Sequence, residues 1–483
     1  MSTVREERQP LARAVRGIEV PPTPVRLAAS QTLTGKGVTI AFLDSGFTPH
    51  PDLAGSGRIV EYIDVTGDGA PLECPAPESW RWHGTQTSVA AAGDGRLSNG
   101  VYRGLAPEAR VVLVKVSRAG RIGEEEIALG FEWLLAHHER LGIRVVNVSL
   151  GGDVDAPLSE SRVNRLAEEA VRRGLVVVVA AGNSGCSARP TPVPPATAPS
   201  VVTVGGYDDA KDEVWCGSWG ASADGIVKPE VLAPSLRIAA PLVHGTELHR
   251  EADALARLAD APENELRRLT WQLLEDARLP QTSGFARLPE IRSEVLARLR
   301  ERRVIARHYQ HSEGTSFAAP IVSSLIAQLL EARPELTPAA VKQVLIASAD
   351  RVQGAAAMRQ GFGVVNAGRA VALARKDRHV SAPCAGCAPR IERRRLVFTF
   401  HDDAARSVRL HADFRGQMAL AGDLAKNTAG LWEIGLEAPL PGRYRYKFVV
   451  DDARWLEDPT HGLKEDDGYG GFNSILHVGW DVR

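Results

Sequence analysis

The sequence predicts an α/β protein, a parallel sheet with helices on both faces, followed by a small all-β immunoglobulin-like sandwich. Three observations predict this. Short runs rich in β-branched residues alternate with helical stretches from Gly37 to about residue 375. Those runs are apolar throughout, as strands buried on both faces are. From Leu396 the apolar period changes to two, between Gly, Pro and Asp turns.

Residues 1–35 read as a mixed-charge leader in which Pro21, Pro22 and Pro24 favour extended backbone. Val38 to Leu43 is the first strand, and Val111 to Val116, Val145 to Leu150, Leu175 to Ala180 and Val201 to Val204 follow. Between them, Glu124 to His138 and Ser159 to Arg173 carry apolar residues at helical spacing. Strand, helix, strand, repeated, gives a parallel sheet over residues 36–375. From about His244 to His311, Leu266, Leu269, Leu273, Val295, Leu296 and Leu299 fall at helical spacing among Arg and Glu, which predicts a mostly helical insertion. The α/β pattern resumes at Gly314 with a long apolar helix. A linker at 376–395 holds Cys384, Cys387 and the basic run Arg393-Arg394-Arg395, and 396–483 form the sandwich.

At 483 residues the chain exceeds what one core usually organises. A formal charge of -1 gives no overall field toward nucleic acid or anionic membrane, so neither is expected as a partner. The first twenty residues mix charges of both signs and lack the apolar core of a secretory signal. No stretch approaches the roughly 18 apolar residues of a membrane span. Five cysteines, an odd number spread thinly, do not form a disulfide framework. Together these point to the cytoplasm. The single C-x-x-C at Cys384 and Cys387 lacks the second ligand pair of a zinc site and reads as incidental thiols.

Acyl transfer by serine needs a base for the hydroxyl proton, a carboxylate to orient that base, and donors for the oxyanion. Asp44 ends the first strand, in Leu43-Asp44-Ser45-Gly46. His83 opens a helix, in His83-Gly84-Thr85. Asn183 follows a strand, in Ala181-Gly182-Asn183, and Ser316 opens a helix, in Gly314-Thr315-Ser316-Phe317-Ala318-Ala319-Pro320. Singly these are ordinary features: Asp and Ser at such positions usually cap helices or turns, and a histidine beside glycine is usually structural. Jointly, in the order Asp, His, Asn, Ser, with flanking glycines, they are not.

These segments resemble the subtilisin family of serine proteases across residues 37 to about 375. Further carriers are His50-Pro51-Asp52-Leu53, Leu105-Ala106-Pro107, Asn147-Val148-Ser149-Leu150-Gly151-Gly152, Lys228-Pro229-Glu230-Val231 and Gly361-Phe362-Gly363-Val364-Val365-Asn366. The resemblance implies an endopeptidase acting on a peptide or protein substrate, with no cofactor required for the chemistry. It implies that Ser316 attacks, His83 shuttles the proton, Asp44 orients the imidazole, and Asn183 with the Ser316 N–H binds the oxyanion. Ser149, Leu150, Gly151 and Gly152, with Ala180, Ala181 and Gly182, would line the S1 pocket and pair with the substrate backbone. Gln86 stands where many relatives carry a second histidine, and Phe317 where the family usually has methionine. Family members often bind structural calcium, and Asp52 lies in a segment that supplies a ligand in some, but no site is assigned. The leader is expected to lie across the cleft as an inhibitor.

The last ~85 residues resemble the glycogen-binding modules of AMP-activated kinase β subunits and branching enzymes. The carriers are Gly442 to Asp451, Trp455, Asp458-Pro459 and Gly471-Phe472-Asn473-Ser474-Ile475-Leu476. By that resemblance Lys447, Trp455 and Asn473 contact sugar. Gln417 replaces an expected tryptophan, so glucan affinity is expected to be weak or absent, with the domain packing on the protease or presenting a protein partner. Two alternatives stand beside this reading: a catalytically silent scaffold, opposed by the complete catalytic set, and a glycan-targeted protein whose binding matters more than its proteolysis, opposed by Gln417.

Overall fold

The computed structural model describes residues 20–376 apart from 56, 70 and 74–78, and residues 389–478 apart from 393–394, 429, 438, 440–441 and 460–463. Cys384, Cys387, Arg393 and Arg394 lie outside the described residues, as does the leader up to residue 19.

The central sheet holds β1 (Thr39–Asp44), β2 (Ile59–Asp64), β3 (Arg110–Lys115), β4 (Ile143–Val148), β5 (Val176–Ala180), β6 (Val202–Asp208) and β7 (Val231–Pro234). Their order is β7-β6-β5-β4-β1-β3-β2, all parallel. Alternate residues feed two cores. Ile40 and Phe42 face one side with α1 (Trp80–Ala92) and α7 (Thr315–Ala332); Ala41 and Leu43 face the other with α2 (Glu124–Leu141) and α3 (Arg162–Arg172). Among the described residues α7 is the one helix long and apolar enough to cross a membrane, and it is the core helix, its apolar window 83% buried.

Because β1 has β3 on one side and β4 on the other, the chain reverses direction across the sheet at β1. Ligands of open α/β sheets bind at such a reversal, beyond the carboxyl ends of the strands. Asp44 ends β1 and Ser149 follows β4, so both stand at that crevice.

The insertion is mostly helical, as predicted, with α4 (Glu247–Asp260), α5 (Glu263–Leu273) and α6 (Leu288–Glu301) around a core that includes Leu255, Leu258, Leu266, Ile291, Val295 and Leu299. Buried Glu251 accepts from Arg298 at 2.5 Å and Arg302 at 3.0 Å, tying α4 to α6. A hairpin of β9 (Val304–Ala306) and β10 (Tyr309–Ser312) returns the chain, and β10 pairs with β8 (Ile238–Pro241). The insertion is therefore stitched to the strand it departs from. Buried Tyr309 donates its hydroxyl to Asp52 Oδ2 at 2.5 Å, and Asp52 Oδ1 accepts from Leu97 N–H at 3.2 Å. With both oxygens engaged in buried hydrogen bonds, Asp52 does not fit the calcium-ligand role that the resemblance suggests.

Residues 20–35 pack on the protease body. Leu27, Ala29 and Leu33 join the core beside α7, and Gln328 of α7 donates to Leu33 O at 2.7 Å. Arg26 donates to both oxygens of Asp209 and to the Leu236 and Arg237 carbonyls. None of these partners belongs to the predicted catalytic segments.

Among the described residues the cysteines form one pair rather than a framework. Cys186 and Cys216 are paired, with Cα atoms 5.5 Å apart, in the usual range for a disulfide. Cysteine count and spacing do not reveal this, because the two loops meet only in the fold, where Gly185 N–H donates to Cys216 O at 3.1 Å.

The C-terminal sandwich stacks β11 (Arg395–Phe400) and β13 (Trp432–Glu437) against β12 (Val408–Ala412), β14 (Gly442–Val450) and β16 (Phe472–Val478), with β15 (Arg454–Leu456) at the edge of β14. Leu396, Phe398, Leu410, Tyr446 and Phe448 fill the space between the sheets. The domain packs on the protease: Phe472 is buried with Val227 and Ala357, its ring 5.9 Å from that of Phe362, and Arg351 Nη1 donates to Gly470 O at 2.7 Å.

Candidate active site

Asp44 is 1% exposed at the end of β1, and both of its oxygens are occupied. Oδ1 accepts from His83 Nδ1 at 2.7 Å and from Ser45 N–H at 2.7 Å; Oδ2 accepts from the Thr87 hydroxyl at 2.9 Å. Thr87 lies one turn after His83 on α1, so one helix face supplies both the imidazole and a second donor to the same carboxylate. Thr87 is not among the residues expected at the site, although its i+4 spacing from His83 is visible in the sequence. Gly84 is required beside His83: a Cβ there would come within 2.3 Å of Gly46 O.

Burial by itself would lower the His83 pKa, but the Asp44 carboxylate and its hydrogen bond outweigh this and raise it above the ordinary 6.5. The bond to Nδ1 leaves Nε2 as the base nitrogen toward the crevice. The Phe317 ring stands edge-on to the imidazole, 6.1 Å between centroids, which brings the start of α7, and Ser316 with it, beside His83.

The first turn of α7 explains how Ser316 is held. Pro320 has no N–H, so the Ser316 carbonyl four residues earlier loses its helical partner. Ser149 Oγ supplies the replacement at 2.9 Å. Ser149 Oγ in turn accepts from Asn147 Nδ2 at 2.9 Å, and Asn147 Oδ1 accepts from Ser323 Oγ at 3.0 Å. This buried chain fastens the end of β4 to α7. The Ser316 hydroxyl itself donates to the Ser149 carbonyl at 3.4 Å, a bond long enough to be exchanged easily for another acceptor.

Asn183 follows β5 with its amide oriented. Its Oδ1 accepts from Thr315 N–H and from the Thr315 hydroxyl, both at 3.0 Å. A backbone N–H only donates, so the atom facing it is the oxygen and Nδ2 is left as the free donor. Gly314 (φ +130) keeps the space beside that amide open. Thr315, absent from the sequence-based site, is the residue that aims Asn183. The strand ends 149–152 and 180–182 lie side by side, since β4 pairs with β5 through Val148 and Val179.

A donor amide, a serine and a carboxylate-backed imidazole thus lie near one another at the sheet reversal, although among the described residues no hydrogen bond joins His83 to Ser316, whose hydroxyl is turned to the Ser149 carbonyl. The profile described as the subtilase family matches residues 35–363. The chain belongs to the subtilase family. It is a hydrolase of the serine protease class. The serine protease AprX of Bacillus subtilis (strain 168) is 31% identical over 355 residues, 71% of this chain and 67% of that protein. Subtilisin BL of Lederbergia lenta is 35% identical over 208 residues, 42% of this chain and 68% of that one. The solved protease domain of PatA overlays with a TM-score of 0.49 at 21% identity, covering 72% of this chain and 98% of that one. The profile of carbohydrate-binding module 48 (isoamylase N-terminal domain) matches residues 385–461.

In this subtilase Gln86 donates to Pro241 O at 3.2 Å, joining the catalytic helix to the base of the insertion. On the sandwich, Lys447, Trp455 and Asn473 come together in a cavity of about 530 Å³ that Arg445, Asp467, Met418 and Tyr469 also line. Lys447 is ion-paired there with Asp467. Trp455 is 50% and Tyr469 95% exposed, while Gln417 is not among the cavity's residues. His244, His249 and His308 of the insertion form a separate cluster, the group of metal-capable side chains among the described residues.

Proposed function

We propose that this subtilase cleaves peptide bonds within protein or peptide substrates by attack of Ser316, with His83 as general base and then general acid. Asp44 holds the imidazolium that forms, and Asn183 Nδ2 with the Ser316 N–H stabilises the tetrahedral oxyanion. The observation that carries the reading is the 2.7 Å bond from His83 Nδ1 to a buried carboxylate that a second donor, Thr87, also holds. An extended substrate would pair with Ser149–Gly152 and place its P1 side chain against Ala180–Gly182. No metal or cofactor is needed in any of these steps. The test is peptide-library cleavage by the full chain beside Ser316→Ala, with a serine-directed phosphonate as label. Loss of cleavage and of labelling in the variant is expected; wild-type cleavage by Ser316→Ala overturns the assignment.

The sandwich, in this reading, acts mainly by packing on the protease. A second reading, glucan binding, is favoured by one observation: Trp455 and the highly exposed Tyr469 offer two rings at one cavity. Calorimetric titration of the full chain with maltoheptaose separates the two. Weak or no heat is expected; low-micromolar binding abolished by Trp455→Ala makes this a glycan-localised protease. The expected cytoplasmic residence, read from the character of the first twenty residues, the apolar patterning and the thinly spread cysteines, is opposed by the Cys186–Cys216 pair, since disulfides persist mainly in oxidising compartments. Alkylation of protein taken directly from its source reads which state the pair holds.

A further inference from the structure

Pairing of β10 with β8 sets the exit of the insertion beside its entrance. Leu242 N–H donates to the His308 carbonyl at 2.8 Å, which carries His308, at the tip of the β9–β10 hairpin, next to His244. Thr246 then caps α4 by accepting from His249 N–H at 3.2 Å, which fixes His249 in the first turn of that helix. Two segments about sixty residues apart, 244–249 and the hairpin tip at His308, deliver three imidazoles to one place. The His244 ring lies 4.2 Å from that of His249 and 5.6 Å from that of His308. His249 Nε2 and His308 Nδ1 are 3.0 Å apart, and one ligand atom from each of the three rings lies within 4.8 Å of the others.

We propose that His244, His249 and His308 bind one zinc-class divalent cation, which clasps the insertion to the strand pair leading into the Ser316 helix. Zinc holds imidazole nitrogens at about 2.0–2.1 Å in tetrahedral arrangement, so nitrogens of neighbouring ligands sit slightly more than 3 Å apart. The 3.0 Å pair is close to that already, and small rotations bring in the third ring. An all-imidazole donor set selects zinc and its transition-metal neighbours over calcium or magnesium, which take oxygen.

Two further observations favour a metal over a plain histidine cluster. His244 Nε2 is buried with no hydrogen-bond partner among the described residues, an arrangement that a ligand would relieve. Arg307, the adjacent cation, is ion-paired with Asp253, which offsets its repulsion of an incoming ion. His50 completes the wall, its ring 5.7 Å from that of His244. Its Nδ1 accepts from Asp52 N–H at 3.3 Å, so its Nε2 carries the proton, and that buried group also lacks a hydrogen-bond partner among the described residues.

The experiment uses the full chain in a Ser316→Ala background, which prevents self-digestion, stripped with chelator and titrated with Zn²⁺. One tight equivalent is expected, together with a raised melting temperature. X-ray absorption of the loaded protein should give a first shell of nitrogen and oxygen at about 2.0 Å with imidazole scattering. His249→Ala and His308→Ala should each weaken binding more than about 100-fold, beyond the loss usual for an outer-shell partner. If an alanine variant fails to fold, His308→Gln keeps the bulk and reads the same loss. A sulfur-containing shell, which would assign the ion to the linker thiols, overturns the proposal. Full-stoichiometry binding retained by His308→Gln, or no binding by the parent chain, overturns it equally.

Discussion

At the scale of single residues, the Asp44 carboxylate and the His83 imidazole are mutually dependent. The carboxylate raises the His83 pKa above 6.5, and the base works only when neutral. The acid limb of kcat/KM should therefore fall through a pKa above the ordinary histidine value, and Asp44→Asn should move it down while lowering the rate. A limb at or below 6.5 in the wild type contradicts the pairing. The same shift has a stability sign. Because the folded pKa is the higher one, the pair's contribution is complete below the unfolded value of 6.5 and is lost as pH rises through the folded value. Asn183→Leu should reduce kcat by about 10²–10³ with little change in KM, the loss found when this kind of donor is removed from subtilisin itself. Thr315→Val should reproduce part of that effect through another residue, because it unpins the amide that Asn183 must present.

Single elements are held by buried polar groups, and their loss should exceed that of surface substitutions. Glu230, 3% exposed, takes Lys228 at 2.7 Å and Lys342 of α8 (Pro338–Ser348) at 2.8 Å, and also accepts from Thr203 N–H. It thereby joins β6, the approach to β7 and α8. Burial alone would raise its pKa, but the two lysines depress it to about 2. A depressed carboxylate stabilises fully above its unfolded value of 4.5 and loses that contribution as pH falls toward 2. Urea unfolding across that window should show the loss in the wild type and a shallower dependence in Glu230→Gln. Glu230→Ala should cost about 3–5 kcal/mol, since it leaves the fully buried Lys228 ammonium without its carboxylate. Ser149→Ala removes the substitute partner of the Ser316 carbonyl and should cost about 1 kcal/mol, with an added fall in kcat as the helix start loosens.

On the scale of the whole molecule, the protease body depends on parts outside its sheet. Residues 20–35 bury Leu27 and pair Arg26 with Asp209, so deleting residues 1–30 should lower the melting temperature; burying a leucine is worth about 1.5–3 kcal/mol. Deleting residues 1–19 alone is the cleaner test of an inhibitory leader. A rise in activity on a small peptide supports inhibition, and no change removes it. Phe472→Ala should destabilise both domains together, because that ring is shared with Val227 and Ala357 of the protease; a shift confined to the sandwich transition would show that the junction carries little.

By itself the sequence determined the parallel sheet, the helical insertion, the sandwich and the four segments bearing Asp44, His83, Asn183 and Ser316. These are local: periodicity is set by which face of each element is buried, and each motif lies within a few residues of a strand end or helix start. Tertiary structure alone decided what those segments do to one another. Thr315 orients Asn183, Ser149 repairs the gap that Pro320 leaves, and Tyr309 occupies the carboxylate of Asp52, across separations that no local pattern spans. The Cys186–Cys216 pair and the meeting of His308 with His244 and His249 belong to the same class. A side chain's type is written in the chain, but its partner is chosen by which loops the packed sheet brings within about 3 Å, and that distance depends on every element between them.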